Sequence, residues 1–352
     1  MGKIKTFFIL PSLRAGGTEK IISYVFDNID SKNIDPYLVI VGFKRDSFFE
    51  VKRENVIFLN KSKFYKSIFY LFRLIWKIKP QILVSSSYHI NLFLLVYNFF
   101  LNNAKIVIRV NSLPSKFLNL KNTRLIKLQS YLFTKVKKII FQSQAMEYDF
   151  RETYNYSLKN TCLINNPIIS KPSSIIKSEF KTPHFITIGS LTQIKGHKRI
   201  LKSLSELEFD FKYQIIGNGI LLEELILESK RLEIYDKVEF LGEQKDFSKN
   251  IFQNTIYLLG SYFEGFPNSV LDVLTFGIPV ISYNSPGGHN EIIINGFNGF
   301  LSKSQRDFSK NIEKALNIKW NKNDIKRNIF ERFNSTKILN QYNDLFLSLS
   351  KK

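Results

Sequence analysis

With 352 residues, 44% of them hydrophobic, the chain can build two cores in domains of about 150 residues each. One cysteine, Cys162, excludes a disulfide framework and a cysteine-based zinc site, and four scattered histidines exclude a ligand motif such as H-E-x-x-H. The 51 Lys and Arg against 30 Asp and Glu give a formal charge of +21, yet no zinc-finger spacing, helix-turn-helix signature or RNP-like aromatic motif accompanies it, so nucleic acid is not the expected partner.

In chain order, the basic start from Met1 to Leu13 is too short for a signal peptide, and no apolar run reaches the roughly 18 residues of a membrane span, so a cytoplasmic location is expected. Residues 5–10 read as a buried strand, followed by Gly16 and Gly17 and then the helical pattern Ile21, Ile22, Val25, Phe26, Ile29. Strand, glycine turn, helix opens a nucleotide-fold unit. Further strands are expected at 37–42, 56–59, 81–85, 106–110 and 138–141, with helices at 61–79, 90–102 and 122–136 between them. Strands alternating with helices imply a parallel sheet with right-handed crossovers.

Residues 1–166 carry 26 basic and 10 acidic residues, against 25 and 20 in the remainder. A basic half suits an anionic partner, either a phospholipid surface or a phosphorylated substrate. In the 61–79 helix Phe64, Ile68, Phe72 and Ile75 recur at helical spacing, with Tyr65, Phe69 and Trp76 beside them and Lys63, Lys66, Arg73 and Lys77 at other angles. That pattern fits an apolar face packed on a sheet, or a helix lying in an anionic membrane interface.

Residues 167–183, with three prolines and several serines, read as a linker between an N-terminal domain (1–166) and a C-terminal one (184–334), with a last helix over 335–352 expected to pack back on the first domain. The second βαβ series has expected strands at 184–188, 213–216, 238–241, 256–260, 279–283 and 299–301, and helices at 196–207, 220–232 and 268–276. The fold expected is therefore α/β, two Rossmann-like domains with parallel sheets facing across a cleft.

Three stretches carry chemistry. Gly189, Ser190 and Lys195 form a glycine turn and a cation just before a helix, where unpaired N–H groups favour anions. Gly217, Asn218 and Gly219 end a strand and admit a ligand close to the backbone, or serve only as a turn. In the third stretch Asn268 reads as an N-cap, with a helix from Ser269 to Phe276 ended by Gly277. Glu264 precedes this helix and Asp272 lies one turn inside it. Carboxylates beside a helix N-terminus that holds a diphosphate should face hydroxyl groups, an arrangement that a nucleotide sugar offers.

These stretches resemble the E-x7-E region of retaining glycosyltransferases with the GT-B fold, particularly family 4. The resemblance runs along nearly the whole chain, through Pro11–Glu19, Asn166-Pro167-Ile168, Gly189 with Lys195-Gly196, Gly217-Asn-Gly219, Glu264–Ser269, Gly277–Val280, Gly287-Gly-His-Asn-Glu291 and Asn295–Gly299. It implies that Glu264 binds donor-sugar hydroxyls in a pocket shaped by Gly265, Phe266 and Pro267. It further implies that Asn268, Ser269 and Val270 present backbone groups to the diphosphate, that Asp272 holds the ribose and that Lys195 neutralises the leaving diphosphate. Gly16 and Gly17 would bring the first domain's backbone against the donor. No metal and no cofactor are expected. Ser190 stands where the family usually has Arg, leaving Lys198 or Arg199 as possible substitutes, and Asp272 stands where Glu is typical. His89, Arg109 and Asn111 are acceptor-side candidates, Arg109 from its place at a strand end.

The expected activity is transfer of a hexose or N-acetylhexosamine, with retention, from a nucleoside diphosphate sugar (UDP by the family's habit) to an acceptor hydroxyl. A lipid-linked surface glycan is the expected acceptor, met at an anionic membrane through the N-terminal domain. Two other readings stay open: a sugar-nucleotide epimerase on the same architecture, and a basic protein that binds nucleic acid or membrane without catalysis.

Overall fold

The computed structural model describes residues 2–101, 103–116, 118, 123–157, 159–169 and 178–350, so that positions 170–177 of the expected linker lie outside the described residues. The chain forms two compact units, Met1–Ile169 with Phe333–Lys352, and Ser170–Arg332.

The first unit runs β1 (Ile4–Leu10), α1 (Gly17–Asn28), β2 (Ile34–Ile40), β3 (Val56–Phe58), α2 (Ile68–Ile78), β4 (Ile82–Ser85), α3 (Tyr88–Leu101), β5 (Lys105–Arg109), α4 (Thr123–Phe133), β6 (Lys138–Phe141), α5 (Gln144–Tyr154) and β7 (Thr161–Leu163). Its sheet has the order β3-β2-β1-β4-β5-β6-β7, parallel throughout. Phe7, Phe8, Ile9 and Leu10 are all buried, because a central parallel strand is covered on both faces. The order reverses between β1 and β4, so the loops after those two strands flank a crevice at the carboxyl edge of the sheet.

Three differences from the sequence reading have physical reasons. β2 begins at Ile34 and contains Pro36. Leu38 N–H donates toward β3, to Asn55 O at 2.8 Å, so the ring nitrogen of Pro36, two residues earlier, faces the same way. β3 pairs only with Leu38–Ile40, so no ladder bond is lost at Pro36. The helix α5 is not expected from the sequence, because its apolar stripe is one residue wide: Met146, Phe150 and Tyr154. Its caps were legible, with Ser143 Oγ accepting from Met146 N at 3.1 Å and Asn155 in the left-handed conformation. Finally, α2 starts only at Ile68, after a 3₁₀ turn, and its buried members are Leu71 and Ile75. Ile68, Phe69, Phe72 and Trp76 are exposed, so the expected core stripe through Ile68 and Phe72 does not form.

The second unit runs β8 (His184–Ile188), α6 (His197–Leu204), β9 (Lys212–Ile216), α7 (Leu222–Arg231), β10 (Val238–Gly242), β11 (Thr255–Leu259), α8 (Asn268–Leu274), β12 (Val280–Tyr283), α9 (His289–Ile292), β13 (Gly299–Ser302), α10 (Gln305–Leu316) and α11 (Lys322–Arg332). Its parallel sheet has the order β10-β9-β8-β11-β12-β13, reversing between β8 and β11. Phe185, Tyr213, Leu258, Ile281 and Phe308 lie in its core, with the Tyr283 and Phe308 rings stacked at 4.5 Å.

The last helix, α12 (Ser335–Ser350), packs in the first unit. There Phe346 meets Phe8 edge-on at 5.8 Å, and Phe8 meets Phe26 at 6.2 Å.

Candidate functional site

The topology places the site before any side chain is considered. In the second unit the loops after β8 and β11 stand on either side of the switch point, where ligands of open α/β sheets bind. Lys195 comes from the first of these loops and Glu264 from the second, and the two side chains form an ion pair there. Ser261 Oγ donates to the same Glu264 oxygen at 2.7 Å. Burial pushes the Glu264 carboxyl up, but the adjacent ammonium and the Ser261 hydroxyl hold it below the usual carboxylate value. The Lys195 side chain lies about 3.8 Å from where a β-carbon on Gly189 would stand, so its stem crosses that glycine.

Backbone contacts fix both loops. Tyr262 N donates to Ile194 O at 2.8 Å, tying the Glu264 loop to the Lys195 turn. Gly189 N donates to Ile216 O and Leu191 N to Asn218 O, each at 2.9 Å, which stitches the Gly189 turn to the Gly217–Gly219 turn. Gly217, at φ 149°, has no alternative here, since a β-carbon on it would lie 1.9 Å from Gly189 O. Behind Glu264, Gly287 forms an isolated bridge to it, and Glu264 N donates to Pro286 O at 3.1 Å. Gly287 has φ 128°, and a β-carbon there would stand 1.6 Å from Glu264 O.

Arg199 braces the same loop. Its guanidinium donates to the carbonyls of Gly260 and Ser261 and to Ser285 Oγ (3.0 Å), between the rings of Tyr262 (4.3 Å) and Tyr283 (3.8 Å). Lys198 pairs with Glu224. The Ser190 carbonyl bonds His197 Nε2 at 3.1 Å. Lys195 is the cation that the turn supplies.

The α8 helix departs from expectation at both ends. Pro267 occupies the cap position and no side chain caps the helix; Asn268 is its first residue, and the helix ends at Leu274 rather than Phe276. Val270 N–H donates to Pro267 O at 3.0 Å. Ser269 Oγ lies 2.8 Å from the buried Tyr257 hydroxyl, which also lies 3.2 Å from Ile188 O and so links α8 to the end of β8. Gly265 and Phe266 are buried beside Glu264, and Asp272 is half-buried on α8.

The sequence reading missed three contributors: Ser261, Arg199 as a brace, and His289. The imidazole of His289 is fully buried, and among the described residues neither ring nitrogen has a hydrogen-bond partner. Burial, opposed by Glu264, pushes it down to about 4. It opens α9 just after Gly287 and Gly288, a pair already legible in the sequence, but a lone histidine gives no periodic signal.

In the first unit Gly16 is the cap residue of α1 and Gly17 its first residue, beside the β1–β4 switch point. Glu19 turns back toward Gly16, and burial raises its pKa against the charge of Arg109. Arg109 is corrected: it is 1% exposed and donates to Asn166 Oδ1 at 2.5 Å, with the buried Tyr342 of α12 beside it. It is an interior strut and offers no cation to an acceptor phosphate. His89 is exposed at the start of α3, its ring 5.7 Å from that of Tyr88, and Asn111 is exposed after β5. Among the described residues no three His, Cys, Asp or Glu side chains gather closely enough to hold a metal ion.

Residues 171–332 match the family of glycosyl transferases group 1. The chain is 33% identical over 147 residues to the lipopolysaccharide 1,6-galactosyltransferase of Escherichia coli (strain K12), a match covering 40% of this chain and 41% of that one. It is 24% identical over 330 residues, 89% of each chain, to the GalNAc-alpha-(1->4)-GalNAc-alpha-(1->3)-diNAcBac-PP-undecaprenol alpha-1,4-N-acetyl-D-galactosaminyltransferase of Campylobacter jejuni. Among solved structures, Anabaena Alr3699/HepE in complex with UDP-glucose superposes with a TM-score of 0.78 at 14% identity, covering 98% of this chain and 100% of that one. That last likeness is one of fold.

Proposed function

We propose that the chain, whose residues 171–332 match the glycosyl transferases of group 1 and whose fold is GT-B, transfers a hexose or N-acetylhexosamine from a UDP-sugar to a lipid-linked surface glycan, with retention and without a metal ion. The observation that carries this reading is the Lys195–Glu264 pair, which spans the switch point of the second sheet with Ser261 as its third member. Glu264 accepts hydrogen bonds only, so it suits sugar hydroxyls; Lys195 donates only, so it suits a phosphate. As the glycosidic bond breaks, negative charge grows on the diphosphate. An ammonium already held in place then stabilises the transition state more than the ground state. The N–H groups of Asn268 and Ser269 at the start of α8 would face the phosphates, and Asp272 the ribose. A nucleophilic role for Glu264 is disfavoured, because double displacement needs paired carboxyls flanking the anomeric carbon.

A lipid-linked acceptor places the reaction at a cytoplasmic membrane face, with the aromatic, basic helix α2 as the contact. An epimerase on the same fold would yield product without an acceptor. The test is a thermal-shift screen of nucleoside diphosphate sugars with EDTA present, followed by NMR of the product's anomeric configuration. UDP-sugars should stabilise the protein and the product should keep the donor's configuration; stabilisation that persists undiminished in Glu264→Gln, or an inverted product, overturns the reading.

A further inference from the structure

The Lys195 ammonium has two duties in the proposed reaction. It is paired with Glu264 in the structure, and it is the cation that meets the diphosphate. Its bond and that of Ser261 both reach the same carboxylate oxygen, Oε1. A diphosphate carries more negative charge than a carboxylate, so its arrival draws the ammonium away from Glu264. The Glu264 side chain is only 12% exposed, and water can replace little of what it loses. A buried carboxylate short of donors is driven to take up a proton, and one of its oxygens then donates instead of accepting from a sugar hydroxyl. The site therefore needs a second donor, held back while the ion pair is closed.

Most donors around the carboxylate are already engaged. The Ser261 hydroxyl gives its hydrogen to Glu264 Oε1 at 2.7 Å. The Arg199 guanidinium is occupied by the carbonyls of Gly260 and Ser261 and by Ser285 Oγ. The Tyr257 hydroxyl lies between Ile188 O and Ser269 Oγ. Glu264 N donates to Pro286 O at 3.1 Å, and Gly288 N to Gly265 O at 3.2 Å. His289 differs from all of these. Its side chain is fully buried, and among the described residues neither Nδ1 nor Nε2 has a hydrogen-bond partner. Such a ring is rare in an interior, because an unpaired buried polar group gives up its water and gains nothing in return.

The position of the ring fits that need. Gly287, two residues earlier, is bridged to Glu264, and Arg332 of α11 donates to the carbonyls of Glu291 and Ile292. The backbone that carries His289 is thus pinned to the Glu264 loop on one side and to α11 on the other. The ring lies close enough to Glu264 for each to shift the proton affinity of the other. Burial keeps the imidazole neutral, so it holds one N–H and adds no positive charge to compete with Lys195 for the diphosphate.

We propose that His289 is a positioning residue that takes over from Lys195. When a diphosphate draws the ammonium off, the imidazole N–H donates to Glu264 and keeps the carboxylate in place as an acceptor for the donor sugar. The closed ion pair is the resting state of the site, and the His289 bond belongs to its loaded state. A neutral donor replaces only part of an ammonium's hold, and no proton is transferred in the exchange. The inference rests on the reading of Lys195 as the cation that meets the diphosphate.

The test reads the ring directly, by proton–nitrogen correlation NMR of the histidine side chains in the full chain at neutral pH. The chain has four histidines, and the signal absent from His289→Gln is that of His289. Lys195→Met removes the ammonium without any ligand. In that variant the His289 N–H proton should move downfield and a single ring tautomer should be populated. UDP added to the wild type should produce the same change, and it decides the matter if Lys195→Met does not fold. By titration calorimetry, His289→Leu should bind UDP at least roughly tenfold more weakly, the size expected for one hydrogen bond to a charged group. His289→Gln, whose amide also donates, should recover most of that loss. His289 signals that match between the wild type and Lys195→Met overturn the proposal. So does an equal loss of UDP affinity in His289→Gln and His289→Leu. A Lys195→Met spectrum that changes as expected in a protein that binds no UDP would instead count against the sugar-nucleotide reading alone.

Discussion

Replacing Lys195 by Met leaves the Glu264 carboxylate facing the Ser261 hydroxyl in a site where its side chain is only 12% exposed. Breaking a buried pair from one side typically costs about 3–5 kcal/mol, whereas a fully exposed pair is worth about 0–1. Lys195 is 27% exposed, so solvent screens part of the loss and about 2 kcal/mol is expected. Without the ammonium, burial dominates and the Glu264 pKa rises. Glu264→Gln removes the charge and should cost less, about 1 kcal/mol for a changed hydrogen bond. In the double variant the stranded charge is gone, so the two losses should fall short of additive by about 1 kcal/mol or more. Urea unfolding of the four proteins at pH 7, followed through the second unit, measures this coupling. Additivity within about 0.5 kcal/mol would show that the pair is not formed in solution and would remove the basis of the site.

Three further outcomes follow from particular contacts. Gly287→Ala combines a left-handed backbone with a β-carbon 1.6 Å from Glu264 O, so it should displace the Glu264 loop, lower stability by more than about 2 kcal/mol and abolish sugar-nucleotide stabilisation in thermal shift. His197 and His289 are both held neutral by burial, each pushed down to about 4. The unfolded chain takes up protons on these groups below about pH 6.5, so the second unit should lose up to about 3 kcal/mol per imidazole as pH falls from about 6.5 toward 4. Urea midpoints for the wild type and for His289→Gln should diverge at pH 7 and converge toward pH 4.5; parallel curves refute the assignment. Phe346→Ala should destabilise the first unit by about 3–5 kcal/mol while leaving the donor-dependent shift of the second in place, as read by differential scanning calorimetry.

Much of the fold was legible because buried parallel strands are short, continuous apolar runs: His184–Ile188 and Lys138–Phe141 were placed to the residue. What stayed hidden depends on partners far away in sequence. Pro36 sits inside a strand because β3 is too short to pair beside it. The stripe of α2 reads as a core face in the sequence, but only Leu71 and Ile75 of the helix are buried. Lys195 and Glu264 are legible from their turns and helix boundaries, and the structure pairs them. The bracing role of Arg199 is not legible in the sequence, because its acceptors are backbone carbonyls, which any sequence offers equally. Arg109 was misjudged because position at a strand end says nothing of whether Asn166 closes over it.

The return of α12 to the first unit makes the second an insertion within the first rather than its successor. During synthesis the second unit therefore has all of its residues outside the ribosome while Phe8 still waits for Phe346, almost the full length of the chain away. The portion translated first is the last to be completed, and a nascent chain stalled before Ser335 would hold a finished second unit behind an unfinished first one.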